Sequence, residues 1–169
     1  MRLYFLFAAL LTSNSLATST AVAQTRVASD TLSWGGLSTD HSLLQRARQT
    51  AELPLLAPST GLFTVLTPTN TAFDQLPAGT LDELLLPANR ASLRRLLNYH
   101  ILIGRHDLTT VASGQRLPTL QGQTVQVQKQ GNRIFLQDAQ GHLIEVQPTP
   151  RTKTNGLRYS VQGVLLPSE

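Results

Sequence analysis

Apolar residues recur along this chain with two different periods, and the change of period divides it. Between residues 40 and 100 they fall at helical spacing; beyond residue 119 they alternate. The first helix starts near Asp40, a good N-cap residue, and turns Leu43, Leu44, Ala47 and Ala51 to one side. Leu53-Pro54 ends it, because proline disfavours a helical conformation in the residue before it. Residues 62–66 form a short apolar strand stopped by Pro68. Thr69 or Asn70 then caps a helix of one to two turns that presents Ala72, Phe73 and Leu76 inward and halts at Pro77. Thr80 and Glu83 match the capping box, Thr-x-x-Glu, ahead of the leucine run 84–86, which Pro87 closes. Asn89 caps a further helix with an apolar seam of Leu93, Leu96 and Leu97. Arg94 and Arg95 point off that seam, as a solvated face or a polyanion contact.

After Gly104 the pattern changes. Residues 107–112 read as a helical turn capped by Asp107. Val125 and Val127, Ile134 and Leu136, and Ile144 and Val146 then mark three strands by their period of two. Gly131-Asn132 makes a hairpin turn between the first two, and Gln140-Gly141 a turn before the third. Residues 148–155 are a polar loop with two prolines, and 157–166 a final strand ended by Pro167. Helices first and antiparallel strands afterwards indicate an α+β domain rather than a doubly wound sheet.

The N-terminus changes the picture of where the domain begins. Met1-Arg2 is a short positive start, residues 3–11 are apolar, and Ala21-Val22-Ala23 puts small residues where a signal peptidase reads. Nine apolar residues fall well short of the ~20 that span a bilayer. Residues 1–23 are therefore a signal peptide, with cleavage after Ala23. Residues 24–36 are a polar, small-residue leader, flexible in part, and residues 37–169 the domain. Trp34, in the leader, either covers an edge of the core or offers a ligand-stacking surface. The 146 residues left (169 minus 23) suffice for one domain with a real core.

Charge and chemistry narrow the function. Without Arg2 the chain has 13 basic and 10 acidic residues, a net charge of +3, and the basic residues are spread out rather than gathered into a phosphate-neutralising stripe. Nucleic acid is thus not the expected partner. The absence of cysteine excludes disulfides and thiolate metal sites. His41, His100, His106 and His142 are scattered without a His-x-x-x-His spacing, so no metal is expected. There is no Gly-x-Ser-x-Gly elbow and no glycine-rich phosphate loop, so no cofactor is implied either. Asp82-Glu83 are adjacent at a helix start, where the helix dipole accounts for them. No catalytic residues emerge, and the expectation is a protein that is not an enzyme.

Tyr99 and His100 stand at a helix-to-strand junction, where alternation sends them to opposite faces, one buried and the other nearer solvent. A buried histidine hydrogen-bonded to backbone, locking helix to sheet, is one reading, and a direct binding role the other. Asn70 reads as a cap or turn holder, and Asn155-Gly156 as a turn requiring φ > 0.

Several of these segments, in order, resemble the fasciclin (FAS1) domain. Residues 63–73, FTVLTPTNTAF with Thr69, Asn70 and Phe73, match the family's first signature segment; Leu76-Pro77 and Gly79-Thr80-Leu81 continue it. Tyr99-His100 matches the central Tyr-His pair, 119–122 (TLQG) the threonine-leucine-x-glycine turn, and Asn155-Gly156 with 164–167 (VLLP) the closing segment. The match runs from about Leu37 to the C-terminus. Where relatives carry a histidine and an aspartate beyond Asn-Gly, this chain has Tyr159 and Gln162. The resemblance implies a wedge with the helical layer packed on an antiparallel two-sheet β region. It also implies weak, non-catalytic adhesion to cell-surface or matrix proteins or glycans outside the cell, with Tyr99 and His100 as the family's binding pair and weak self-association possible. A small-molecule carrier with a pocket between helices and sheet is the alternative.

Overall fold

The structure, a computed structural model, describes residues 38–53, 61–153 and 155–168. Ala23 and the cleavage after it, the leader and Trp34 lie outside the described residues. The helical half follows the apolar spacing, but its ends are built differently from what local signals predict. A 3₁₀ turn at Thr39–His41 leads into α1 (Ser42–Thr50), so Asp40 sits inside the turn rather than at a cap. The cap comes from elsewhere: Asn70, first residue of α2 (Asn70–Asp74), accepts the Leu43 N–H on its Oδ1 at 3.1 Å and donates its amide to the Thr39 carbonyl at 3.1 Å. At the other end of α1, Glu52 takes the left-handed conformation (φ 51°), with Glu52 N–H on Gln49 O and Leu53 N–H on Arg48 O. That pairing is the Schellman closure, usually given to glycine. Here the carboxylate that replaces the glycine hydrogen meets Arg90 at 2.9 Å and so ties α1 to α4 (Arg90–Tyr99).

The capping box does not form. Helix α3 (Thr80–Leu84) has Gly79 as its N-cap, at φ 87°, so Thr80 is already helical and its hydroxyl cannot reach the N-cap position. Asn89 precedes α4 but turns its amide back to the Glu83 carbonyl at 2.7 Å, closing α3 instead.

The strands are β1 (Phe63–Pro68), β2 (Ile101–Ile103), β3 (Arg116–Pro118), β4 (Thr124–Gln130), β5 (Arg133–Gln137), β6 (Leu143–Val146), β7 (Arg151–Lys153) and β8 (Gly156–Val161). They form one sheet in the order β2-β1-β8-β6-β5-β4-β3, with β7 paired to β8. Leu102 in β2 bridges to Thr119 beyond β3, so the sheet curls until its ends almost meet. This near-barrel corrects the two-sheet expectation, and so does the parallel pairing of β1 with β8 along their whole length. A parallel partner has to come from far along the chain, and no local alternation announces it. The polar loop 148–155 likewise holds β7, and the final strand ends at Val161 rather than at residue 166. Gly131 takes φ 60° at the first turn position between β4 and β5, the conformation of a type II′ hairpin.

Two cores share one wall. Leu66, Val125, Val127, Leu136, Leu157 and Tyr159 fill the barrel. Leu44, Phe73, Leu93 and Leu97 pack the helices on its outside, against Phe63 and Val65. Alternation along β1 sends Phe63 and Val65 to the helices and Leu66 to the barrel, which is why every residue of β1 is buried.

Candidate functional site

Tyr99 and His100 are both fully buried, which corrects the expected division between faces. Alternation applies to extended chain, and His100 is instead the C-cap of α4, with φ −84° and ψ 2°. Its imidazole bonds the Leu96 carbonyl through Nδ1 at 2.8 Å and accepts the Leu165 N–H on Nε2 at 3.0 Å. Since Nε2 accepts, Nδ1 carries the proton and the ring is neutral. Burial pulls its pKa down to about 4, against the opposing pull of the Leu96 carbonyl and the Asp138 charge. Tyr99 plugs one end of the barrel. Its hydroxyl donates to the Thr124 carbonyl at 3.2 Å and accepts the Ala139 N–H at 3.0 Å, and burial raises its pKa.

Of these bonds only that from Ala139 N–H reaches the β5–β6 hairpin, while His100 holds Leu165 of the C-terminal segment; the residue that joins the two is Asp138. Its carboxylate accepts the N–H groups of Gln140 (3.0 Å), His142 (2.8 Å) and Leu166 (3.1 Å), and meets His142 Nδ1 at 3.0 Å. The hairpin tip is thereby fastened to α4 through Tyr99 and to the C-terminal segment through Asp138. Sequence reasoning passed over Asp138. The available signal was an aspartate three residues before Gly141, the Asp-x-x-Gly pattern of a type I turn.

The remaining predicted positions lie apart. Phe73 belongs to the helical core, and Thr69 bonds the Thr71 hydroxyl at 2.9 Å. Asn155 is buried and accepts the Phe63 N–H at 3.0 Å, while Gly156 opens β8 at φ 156°, close to extended. Tyr159 is buried inside the barrel. Its hydroxyl accepts the Leu108 N–H and donates to Asp107 Oδ1, both at 3.1 Å, and burial pushes its pKa up to about 12.

Two surfaces flank the braced hairpin. One is a groove of about 620 Å³ between the C-terminal end of α2 and the outer faces of β5 and β6, lined by Leu76, Pro77, Phe135, Leu143 and Leu166 among others. At its edge Arg133 makes a two-pronged pair with Glu145 (2.8 and 2.6 Å), its guanidinium 5.4 Å from the Phe135 ring centre. The other surface is a polar basin of about 550 Å³ holding Arg116, Gln123, Gln126 and Gln137. Among the described residues no group of three His, Asp or Glu side chains is placed to hold a metal ion, and no helix is long and apolar enough to cross a membrane.

Comparison with known proteins places this geometry. Residues 35–167 match the model of the Fasciclin domain family. The chain is 32% identical to Protein sll1483 of Synechocystis sp. over 75% of its own length and 67% of that protein's. It is 35% identical to Immunogenic protein MPB70 of Mycobacterium bovis over 64% of its own length, and spans about half of that relative (52%). A solved FAS1 domain pair from the insect cell adhesion molecule Fasciclin I aligns at a TM-score of 0.48 and 19% identity, covering 73% of this chain and 40% of that one.

Proposed function

Because the chain belongs to the Fasciclin domain family, we propose that it is a non-enzymatic extracellular interaction module. It is exported by residues 1–23, cleaved after Ala23, and binds surface or matrix proteins or glycans weakly. The observation that carries this reading is the groove beside the braced hairpin. An aromatic ring under a guanidinium, next to the half-exposed Leu143, is the kind of anchor that dominates protein interfaces. Tyr99 and His100 then serve binding as positioning residues: Tyr99 holds the hairpin whose outer face makes the contact, and His100 holds Leu165 in the C-terminal segment beside it. Weak single contacts gain strength on an arrayed surface.

The test is a panel of matrix proteins and glycans probed with residues 24–169. Leu143→Ser is expected to weaken the strongest binding about ten-fold with the melting temperature unchanged. Tyr99→Ala is expected to lower the melting temperature and binding together. A partner that binds Leu143→Ser and Phe135→Ala as well as the wild type removes the groove from this reading.

A carrier of small apolar molecules is the second reading, favoured by the size of the same groove, which lies between a helix and the sheet and exceeds the roughly 300 Å³ of a ligand pocket. Saturable binding of an apolar fluorescent probe, abolished by Leu76→Asp, supports it. Failure of any such probe to bind dismisses it.

A further inference from the structure

Strand register lines up three long polar side chains in the basin beside the hairpin. Arg116 of β3 stands opposite Gln126 of β4, and Gln126 opposite Gln137 of β5. Their neighbours along the strands, Leu117, Val125, Val127 and Leu136, fill the barrel, so alternation turns the three outward in one row. The row crosses two strand spacings, roughly 10 Å, and lines the basin with Thr124, two residues before Gln126 on the same face. Internal bonds hold the two amides. Gln126 donates its Nε2 to the Gly114 carbonyl at 3.0 Å and Gln137 its Nε2 to the Gly141 carbonyl at 3.4 Å, which leaves each Oε1 free to accept. Among the described residues nothing bonds those two oxygens, the Thr124 hydroxyl or the Arg116 guanidinium. Solvent reaches all of them, since the buried unpaired side-chain atoms among the described residues are Arg48 Nε and Arg90 Nε.

The basin therefore offers donors and acceptors together. An oxyanion only accepts hydrogen bonds, so the two amide oxygens oppose it, and Arg116 is the one cation among the described lining residues. A protein partner is anchored by large side chains in desolvated pockets, and the largest wholly apolar side chain lining this basin is that of Ala139. A hydroxyl both donates and accepts, so a ligand covered in hydroxyls matches the whole row. At about 550 Å³ the basin lies within the range of small-ligand sites, roughly 300–1,000 Å³.

We propose that this basin binds a neutral oligosaccharide. The Arg116 guanidinium and the Thr124 hydroxyl donate to its oxygens, and the Gln126 and Gln137 amide oxygens accept from its hydroxyls. Because both amides are held beforehand, binding freezes little further side-chain motion. The proposal rests on the interaction-module reading only for the setting in which a saccharide is met. Its residues are separate, since the basin and the groove share no lining residue.

The experiment follows backbone and side-chain amide chemical shifts of residues 24–169 during titration with cellohexaose, maltohexaose and mannohexaose, and separately with sodium sulfate at constant ionic strength. Saturable shifts centred on Arg116, Gln126 and Gln137 are expected with at least one hexasaccharide. Arg116→Gln and Thr124→Val stand at exposed positions and keep the folded spectrum; the first weakens binding about ten-fold and the second about three-fold. Leu143→Ser, in the groove, leaves saccharide binding unchanged, so a partner lost in that variant bears on the groove alone. Saccharide binding that Leu143→Ser abolishes and both basin variants keep belongs to the groove and overturns the proposal. Shifts from sulfate and from none of the saccharides overturn it as well, by making the basin an anion site. So does the absence of saturable shifts up to about 10 mM of every hexasaccharide.

Discussion

A single imidazole shows how this fold uses its polar residues. His100 is neutral because both ring nitrogens are engaged inside the protein, one as donor and one as acceptor. Its pKa in the fold is about 4, against the ordinary 6.5. Between those values the unfolded chain takes a proton that the folded chain refuses. Stability is therefore complete above about pH 6.5 and falls as pH drops towards 4, by an amount on the order of 3 kcal/mol. Urea unfolding of the wild type at pH 7 and pH 4.5 should show that loss, and His100→Gln, which cannot titrate, should show a smaller one. His41, also shifted down, contributes the remainder with the same sign. Tyrosine gives the alkaline counterpart. Beyond residue 4 the tyrosines of the sequence are Tyr99 and Tyr159, both fully buried and both shifted upward. Both should ionise at higher pH than a free phenol while the protein is folded, and because the unfolded chain releases those protons first, stability falls as pH rises above 10. A phenolate absorbance titration checks this: a normal step near pH 10 with intact circular dichroism contradicts the burial of both rings.

At the scale of elements, the ends of helices are set by partners that are distant in sequence. Asn70→Ala removes the side chain that caps α1 from α2 and should cost about 1 kcal/mol in urea unfolding, with little change in helix content. Gly163→Ala should cost about 1–3 kcal/mol, since a Cβ there comes within 3.0 Å of Ile144 Cγ1 and overpacks the wall of the groove. These same contacts explain what the sequence could announce. Val125, Val127, Ile134, Leu136, Ile144 and Val146 were legible because one face of each strand is buried and the other is not, and that difference repeats every two residues. The lengths of β1 and β8 were less legible, because β1 is buried on both faces and its pairing with β8 joins residues more than 90 positions apart. Thr80 carried a correct capping pattern, one residue from where the backbone could use it. Tyr99 and His100 stood out through resemblance, but their hidden placement follows from the helix running through Tyr99. Asp138 went unread because its four bonds, to two chain segments, exist only in the fold.

The whole molecule is two cores built on one strand, and that arrangement predicts how it unfolds. Phe63 and Val65 belong to the helical core and Leu66 to the barrel core, so β1 cannot leave one without exposing the other. Glu52 with Arg90, and His100 with Leu165, add ties between the helices and between the helical layer and the C-terminal segment. The helical layer should therefore have no independent transition. Far-ultraviolet dichroism reports chiefly the helices, while tyrosine fluorescence reports the barrel, where both Tyr99 and Tyr159 reside. In urea the two signals should trace one curve, as for a two-state domain. Leu97→Ala, in the helical core, and Leu66→Ala, in the barrel, remove fully buried side chains, and each should cost about 2–5 kcal/mol. The decisive feature is that each substitution should move both signals by the same amount, wherever it was made. If Leu97→Ala shifts the dichroism curve and leaves tyrosine fluorescence in place, the helices are a separable layer and β1 is not the shared wall described above.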